Sequence, residues 1–159
     1  AYRKLTSDLD FDIKLVLVLQ ILDKNYFLEI EKFIKSNFTE NQIVIFSNLS
    51  SDNLPNLYRY AELYVFTSYC EVFGLTSLEA MSQKTPVVIS NKSSLPEING
   101  NAAIYFDPDD VSEIANSLKI TLIDNSLRQK LIEEGIAQLK KYNSKDNIKK
   151  TIRIIENIN

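Results

Sequence analysis

Five short apolar runs punctuate this chain, and the segments that separate most of them carry apolar residues at helical spacing. Ile13 to Leu19 is β-branched and nearly continuously apolar, the pattern of a strand covered on both faces. Tyr26 to Phe38 then places Phe27, Ile30, Phe33, Ile34 and Phe38 on one helical face, and Gln42 to Phe46 reads as a second buried strand. Ser51 is placed to cap a helix bearing Leu54, Leu57 and Tyr58, with Pro55 tolerated in its first turn. Leu63 to Phe66 reads as a strand, Thr67 to Phe73 as a polar loop, Gly74 to Gln83 as a helix and Pro86 to Ser90 as a strand. Asn91 to Gly100 reads as a loop and Ala102 to Phe106 as a short strand. Asp107-Pro108-Asp109-Asp110 opens a helix bearing Val111, Ile114, Ala115 and Leu118, and the remainder is helical with a Lys-rich end. Strands alternating with helices require right-handed crossovers, which predicts an α/β fold with a doubly wound parallel sheet and flanking helices. No internal repeat or linker interrupts the pattern, so residues 1–159 are read as one domain.

The residue inventory excludes several kinds of chemistry. With no histidine and a single cysteine, Cys70, the usual zinc-ligand sets and the Ser-His and Cys-His nucleophile systems cannot be assembled. No internal disulfide can form. Reaction chemistry must therefore rest on carboxylates, Lys, Arg, Tyr or backbone amides. A net charge of -3 argues against a chain whose main work is neutralising nucleic-acid phosphates. No apolar run approaches the roughly 18 residues of a membrane-spanning helix, and Ala1-Tyr2-Arg3-Lys4 lacks the apolar stretch of a secretion signal, so a cytoplasmic location is expected.

In open α/β sheets ligands bind beyond the carboxyl ends of the strands, which directs attention to the loop after Leu63 to Phe66. Gly74 lies at the junction of that loop with the next helix. A helix N-terminus offers unpaired N–H groups and a partial positive charge, and a glycine there lets an anion approach the backbone, so a phosphorylated ligand is expected. Glu79, about one turn into the helix, leans back toward the same point and can accept hydrogen bonds from vicinal ribose hydroxyls. Glu71, in the preceding loop, addresses the ligand from its other end. Taken singly, each of these residues is ordinary: a solvated helix carboxylate, a loop charge and a turn glycine.

The stretch from Leu57 to Pro86 resembles the signature of the group 1, or family 4, retaining glycosyltransferases. It carries an E-x7-E pattern from Glu71 to Glu79, with Phe73-Gly74-Leu75 inside it and Glu79-Ala80-Met81 closing it. The match continues through Ser93-Ser94-Leu95-Pro96-Glu97-Ile98, Gly100-Asn101-Ala102-Ala103 and Phe106-Asp107-Pro108. The resemblance implies the Rossmann-like C-terminal half of a two-domain GT-B fold, with Glu71 at the donor hexose near the reaction centre and Glu79 on the ribose. Backbone amides of Phe73, Gly74, Leu75 and Thr76 would meet the sugar and diphosphate. It also implies transfer with retained anomeric configuration, no bound metal and no cofactor, with the departing diphosphate stabilised by the helix N-terminus and cationic side chains.

The resemblance implies further parts that this chain does not supply. A strand, a glycine-bearing loop and a phosphate-contacting Arg and Lys are usual before the first strand, whereas Arg3 and Lys4 look like residues of the helix that follows that loop. Gln20-Ile21-Leu22-Asp23 stands where a Gly-rich turn is usual. The N-terminal acceptor domain is absent, so the chain is read as part of a truncated enzyme that turns over poorly alone, because reaction requires two domains to close. The Ser-Ser-Leu-Pro-Glu and Gly-Asn-Ala-Ala loops resemble bacterial mannosyltransferases, which favours GDP-mannose as donor and a polysaccharide or lipopolysaccharide acceptor, either a glycan or a lipid-linked glycan. The complete enzyme would then sit at the inner face of the cytoplasmic membrane, with the tail of Lys140, Lys141, Lys145, Lys149, Lys150 and Arg153 either as a solvated helix face or toward anionic lipid. Two competing readings are a nucleotide-sugar epimerase of the same architecture, which usually leans on histidines, and a non-catalytic flavodoxin-like binding module. Tyr58, Tyr60 and Tyr64 read as packing aromatics, and Cys70 as an inert thiol.

Overall fold

The computed structural model of the chain describes residues 1–142 together with Arg153. Its elements follow in the order α1 (Tyr2–Ser7), β1 (Leu15–Leu19), α2 (Lys24–Asn37), β2 (Ile43–Ser47), α3 (Leu54–Tyr60), β3 (Tyr64–Phe66), α4 (Leu75–Ser82), β4 (Val87–Ser90), α5 (Leu95–Asn99), β5 (Ala103–Phe106), α6 (Val111–Ile123) and α7 (Asn125–Leu139). Every strand pairing is parallel, in two sets: β1 with β2, and β3–β4–β5 in that order. Leu15 lies opposite Ile43, Tyr64 opposite Val87, and Val87 opposite Ala103. The parallel α/β architecture with flanking helices therefore stands, and Arg3 and Lys4 do lie on a helix.

The core is organised around β4, all four residues of which are buried. Side chains of a strand alternate between faces. Val87 and Ile89 accordingly pack with Leu78 and Met81 of α4 and Leu95 and Ile98 of α5. Val88 points the other way, into a cluster with Leu5 of α1, Phe106 of β5, and Ile114 and Leu118 of α6. One strand is thus covered on both faces by helices and flanked on both edges by strands.

Three local expectations require correction. Neither β1 nor β2 is a buried strand: Val16 and Val18 are 44% and 43% exposed and Phe46 is 37% exposed, because no described element covers those faces. The cap before α3 is one residue earlier than Ser51, since the Ser50 hydroxyl accepts from the Asp52 N–H and Ser51–Asn53 forms a 3-10 turn leading into α3. The segment Asn91 to Gly100 is not all loop, because it contains α5, whose Pro96 falls in the first turn where a missing N–H does no harm. Of the Lys-rich tail, Lys140 and Lys141 lie in a 3-10 turn ending at Tyr142, whereas Lys145, Lys149 and Lys150 fall outside the described residues. No described helix is long and apolar enough to cross a membrane.

Candidate functional site

The loops that leave the carboxyl ends of β3, β4 and β5 meet and are tied together by side chains. Tyr69, in the loop after β3, donates its phenol to Asp109 Oδ1 at 2.7 Å, in the loop after β5. Lys92, after β4, pairs with Asp107 at 3.0 Å, and the Asp109 N–H, followed by this Lys92 ammonium, holds the Asp107 carboxyl below its usual range. Ser93 and Ser94 both donate their hydroxyls to the backbone carbonyl of Glu71, at 2.7 and 2.8 Å.

Gly74 caps α4 in the left-handed region, with φ 76° and ψ 46°. It is also buried against α5, where a Cβ would lie 2.7 Å from Leu95 Cδ2. Both conditions exclude a side chain: L residues avoid this backbone region and the space is already filled. The Gly74 carbonyl accepts from the N–H and the hydroxyl of Ser77, at 3.2 and 2.8 Å. No side chain caps α4, so its first N–H groups retain their capacity to bind an anion. Phe73, Gly74, Leu75 and Thr76 therefore form one continuous ledge at this helix start. The Phe73 ring packs edge-on against Tyr142 at 5.5 Å, while Val72 and Leu75 are 95% and 61% exposed.

The two carboxylates flank the ledge in different settings. Glu71 is half-buried, and no described residue hydrogen-bonds its carboxylate. Glu79 is exposed on α4 and accepts from the Tyr58 hydroxyl at 3.3 Å. Burial pushes the Tyr58 phenol up to about 12, with the Glu79 charge and hydrogen bond adding to the rise. Tyr64 donates to Thr76 Oγ1 at 2.8 Å. Burial raises its phenol too. The Tyr58 and Tyr64 rings meet edge to face at 5.6 Å. Tyr58 and Tyr64 pack as expected, whereas Tyr60 is 80% exposed and does not; the hydroxyls of the first two also orient Glu79 and Thr76, a role that spacing along the chain does not reveal. Asp23, in the turn after β1, is engaged in capping α2 through the Asn25 and Tyr26 N–H groups.

Residues 1–138 match the family model described as glycosyl transferases group 1. The chain belongs to the group 1 glycosyltransferases. This group 1 chain is 42% identical over 101 residues to the O-antigen chain mannosyltransferase B of Escherichia coli, a match covering 64% of the chain and 26% of the relative. It is 35% identical over 104 residues to the serotype-specific mannosyltransferase WbdA of Escherichia coli, covering 65% of the chain and 13% of that protein. The chain thus spans about a quarter or less of the length of these curated relatives.

Solved structures give the same assignment at the level of the fold. The C-terminal domain of the group 1 family protein LpcC from Francisella tularensis superimposes with a TM-score of 0.65 at 28% identity, covering 75% of this chain and 63% of that one. Anabaena HepE, solved with UDP and glucose, superimposes with a TM-score of 0.85 at 17% identity, covering 98% of this chain and 44% of that one. The second likeness carries the fold alone.

Proposed function

We propose that this chain supplies the donor site for retaining transfer of a mannosyl residue from GDP-mannose to a polysaccharide or lipopolysaccharide acceptor. The observation that carries the reading is the uncapped start of α4 at Gly74, flanked by Glu71 and Glu79. The diphosphate lies on the N–H groups of the Phe73 to Thr76 ledge, where the helix dipole favours negative charge. Glu79, steadied by Tyr58, accepts hydrogen bonds from the ribose hydroxyls, and Glu71 addresses the hexose. As the bond from the anomeric carbon to the diphosphate breaks and the bond to the acceptor hydroxyl oxygen forms, the charge gathering on the diphosphate is met by donors already in place. The proton of the acceptor hydroxyl passes to an oxygen of the departing diphosphate in the same exchange, so atoms and charge balance.

The named mannosyltransferase relatives favour mannose as the transferred sugar. Family membership favours transfer over the epimerase and flavodoxin-like readings. The remaining parts of the reaction, an acceptor-binding N-terminal domain and a glycan or lipid-linked glycan at the cytoplasmic face of the membrane, belong to the complete enzyme. Calorimetric titration with GDP-mannose, UDP-glucose and UDP-N-acetylglucosamine tests the reading. GDP-mannose is expected to bind tightest, and Glu79→Ala to weaken it by about tenfold, or about 1.4 kcal/mol. Equal affinity for all three donors would sink the mannose assignment; affinity unchanged in both Glu71→Ala and Glu79→Ala would sink the donor site.

A further inference from the structure

We infer that Ser93 and Ser94 are positioning residues that aim Glu71, an assignment that rests on the donor-site reading of Glu71 above. The two carboxylates of the site are held in opposite ways. Glu79 is steadied at its carboxylate, by Tyr58. Glu71 is steadied at its backbone: both serine hydroxyls converge on its carbonyl oxygen, one for each lone pair, at 2.7 and 2.8 Å. No other hydrogen bond reaches the Glu71 backbone or carboxylate among the described residues. The reach of the free carboxylate is therefore set by where the Cα is placed, and the serine pair holds the backbone there.

Two details show that the serines serve the loop after β3 rather than their own segment. Ser94 is the N-cap residue of α5, where a serine hydroxyl ordinarily accepts from its own helix, yet it makes no such bond and gives its hydroxyl to Glu71. Ser93 holds φ at 56°, in the left-handed region that side-chain-bearing residues enter at a cost, and from there its hydroxyl reaches the same oxygen. Leu95 completes the bracket by filling the space beside Gly74, so the 93–95 segment fixes both ends of the short stretch that runs from Glu71 to the start of α4.

The test uses the complete protein turning over GDP-mannose. Ser93→Gly keeps the left-handed backbone accessible while deleting the hydroxyl, and Ser94→Ala deletes the second donor. The double variant is expected to lose about tenfold to a hundredfold in kcat with KM changed by less than about threefold, because misaiming a group at the reacting centre acts on the transition state. Ser94→Thr, which keeps a hydroxyl, is expected to restore most of the loss caused by Ser94→Ala. In a Glu71→Gln background the serine pair is expected to change kcat by less than about twofold, since there is no carboxylate left to aim. Wild-type kcat in the double variant, or the same loss with and without the Glu71 carboxylate, overturns the inference. Wild-type kcat in Glu71→Gln instead removes the role of Glu71 itself, an outcome that the single variant distinguishes. Should the double variant fail to fold, Ser94→Ala alone, with its fold checked by circular dichroism, runs the same cycle against Glu71→Gln.

Discussion

β1 and β4 are both apolar parallel strands rich in Val, yet Val16 and Val18 of β1 are more than two-fifths exposed while Val87, Val88 and Ile89 of β4 are fully buried. The contrast extends to the neighbouring helices. α2 carries no buried residue and leaves Phe33 61% exposed, whereas α4 buries Ser77, Leu78, Ala80 and Met81. An apolar run specifies a strand; its burial is decided by how many layers close over it. β4 has a strand on each edge and helices on both faces, and β1 has β2 on one edge. The candidate donor site stands on the well-packed half, as a site that must hold its groups in place requires.

Deleting core atoms in each half tests the comparison most severely. Leu95→Ala is expected to lower stability by about 2–5 kcal/mol, and Phe33→Ala by no more than about 0.5 kcal/mol, both read from denaturant unfolding. Equal losses would show that α2 is as integral as α5. Gly74→Ala should cost about 1–3 kcal/mol through its left-handed backbone and the contact with Leu95. Part of that penalty should vanish in a Leu95→Ala background, because only the backbone strain survives there.

A smaller effect is expected from Tyr58→Phe, which keeps the ring packing but removes the hydrogen bond to Glu79; donor affinity should fall about twofold to fivefold. The same tyrosine supplies a pH test. Its folded pKa is raised from 10.0 to about 12, so its contribution is complete below pH 10 and is lost as the pH rises toward about 12. Tyr58→Phe should flatten that part of the alkaline stability profile, with tyrosinate absorbance confirming one late-titrating phenol fewer. An unchanged profile would show that burial of Tyr58 is looser than that of the rest of the α4 side.

The alternation of strands and helices was legible because its periodicities are long enough to read, as in Ile43 to Phe46 or Val111 to Ile123. α5 was not, since five residues show no periodicity and Pro96 looks like a break until its place in the first turn is known. The segment Glu71 to Glu79 was legible as a motif with Gly74 at its loop-to-helix junction, whereas the left-handed backbone and the approach of Leu95 that exclude a side chain there were not. Nor were the hydroxyls behind the motif. Tyr58 meets Glu79 across 21 residues, and Ser93 and Ser94 meet Glu71 across 22 and 23, so these bonds exist only once β3 and β4 lie side by side. Nor could the exposure of Val16 be read from a run that looks the same on a covered strand and an open one.

Cys70 gives the tethered loop a practical use. It is the sole thiol of the chain, it is exposed, and it adjoins the residue whose carbonyl the two serines grip. A maleimide dye attached there becomes a fluorescent gauge mounted one residue from the sugar end of the candidate site, with no competing cysteine to remove. Because the loop beneath it is anchored at Glu71, a change in its emission on adding a nucleotide sugar reports arrival of the ligand more than wandering of the mount.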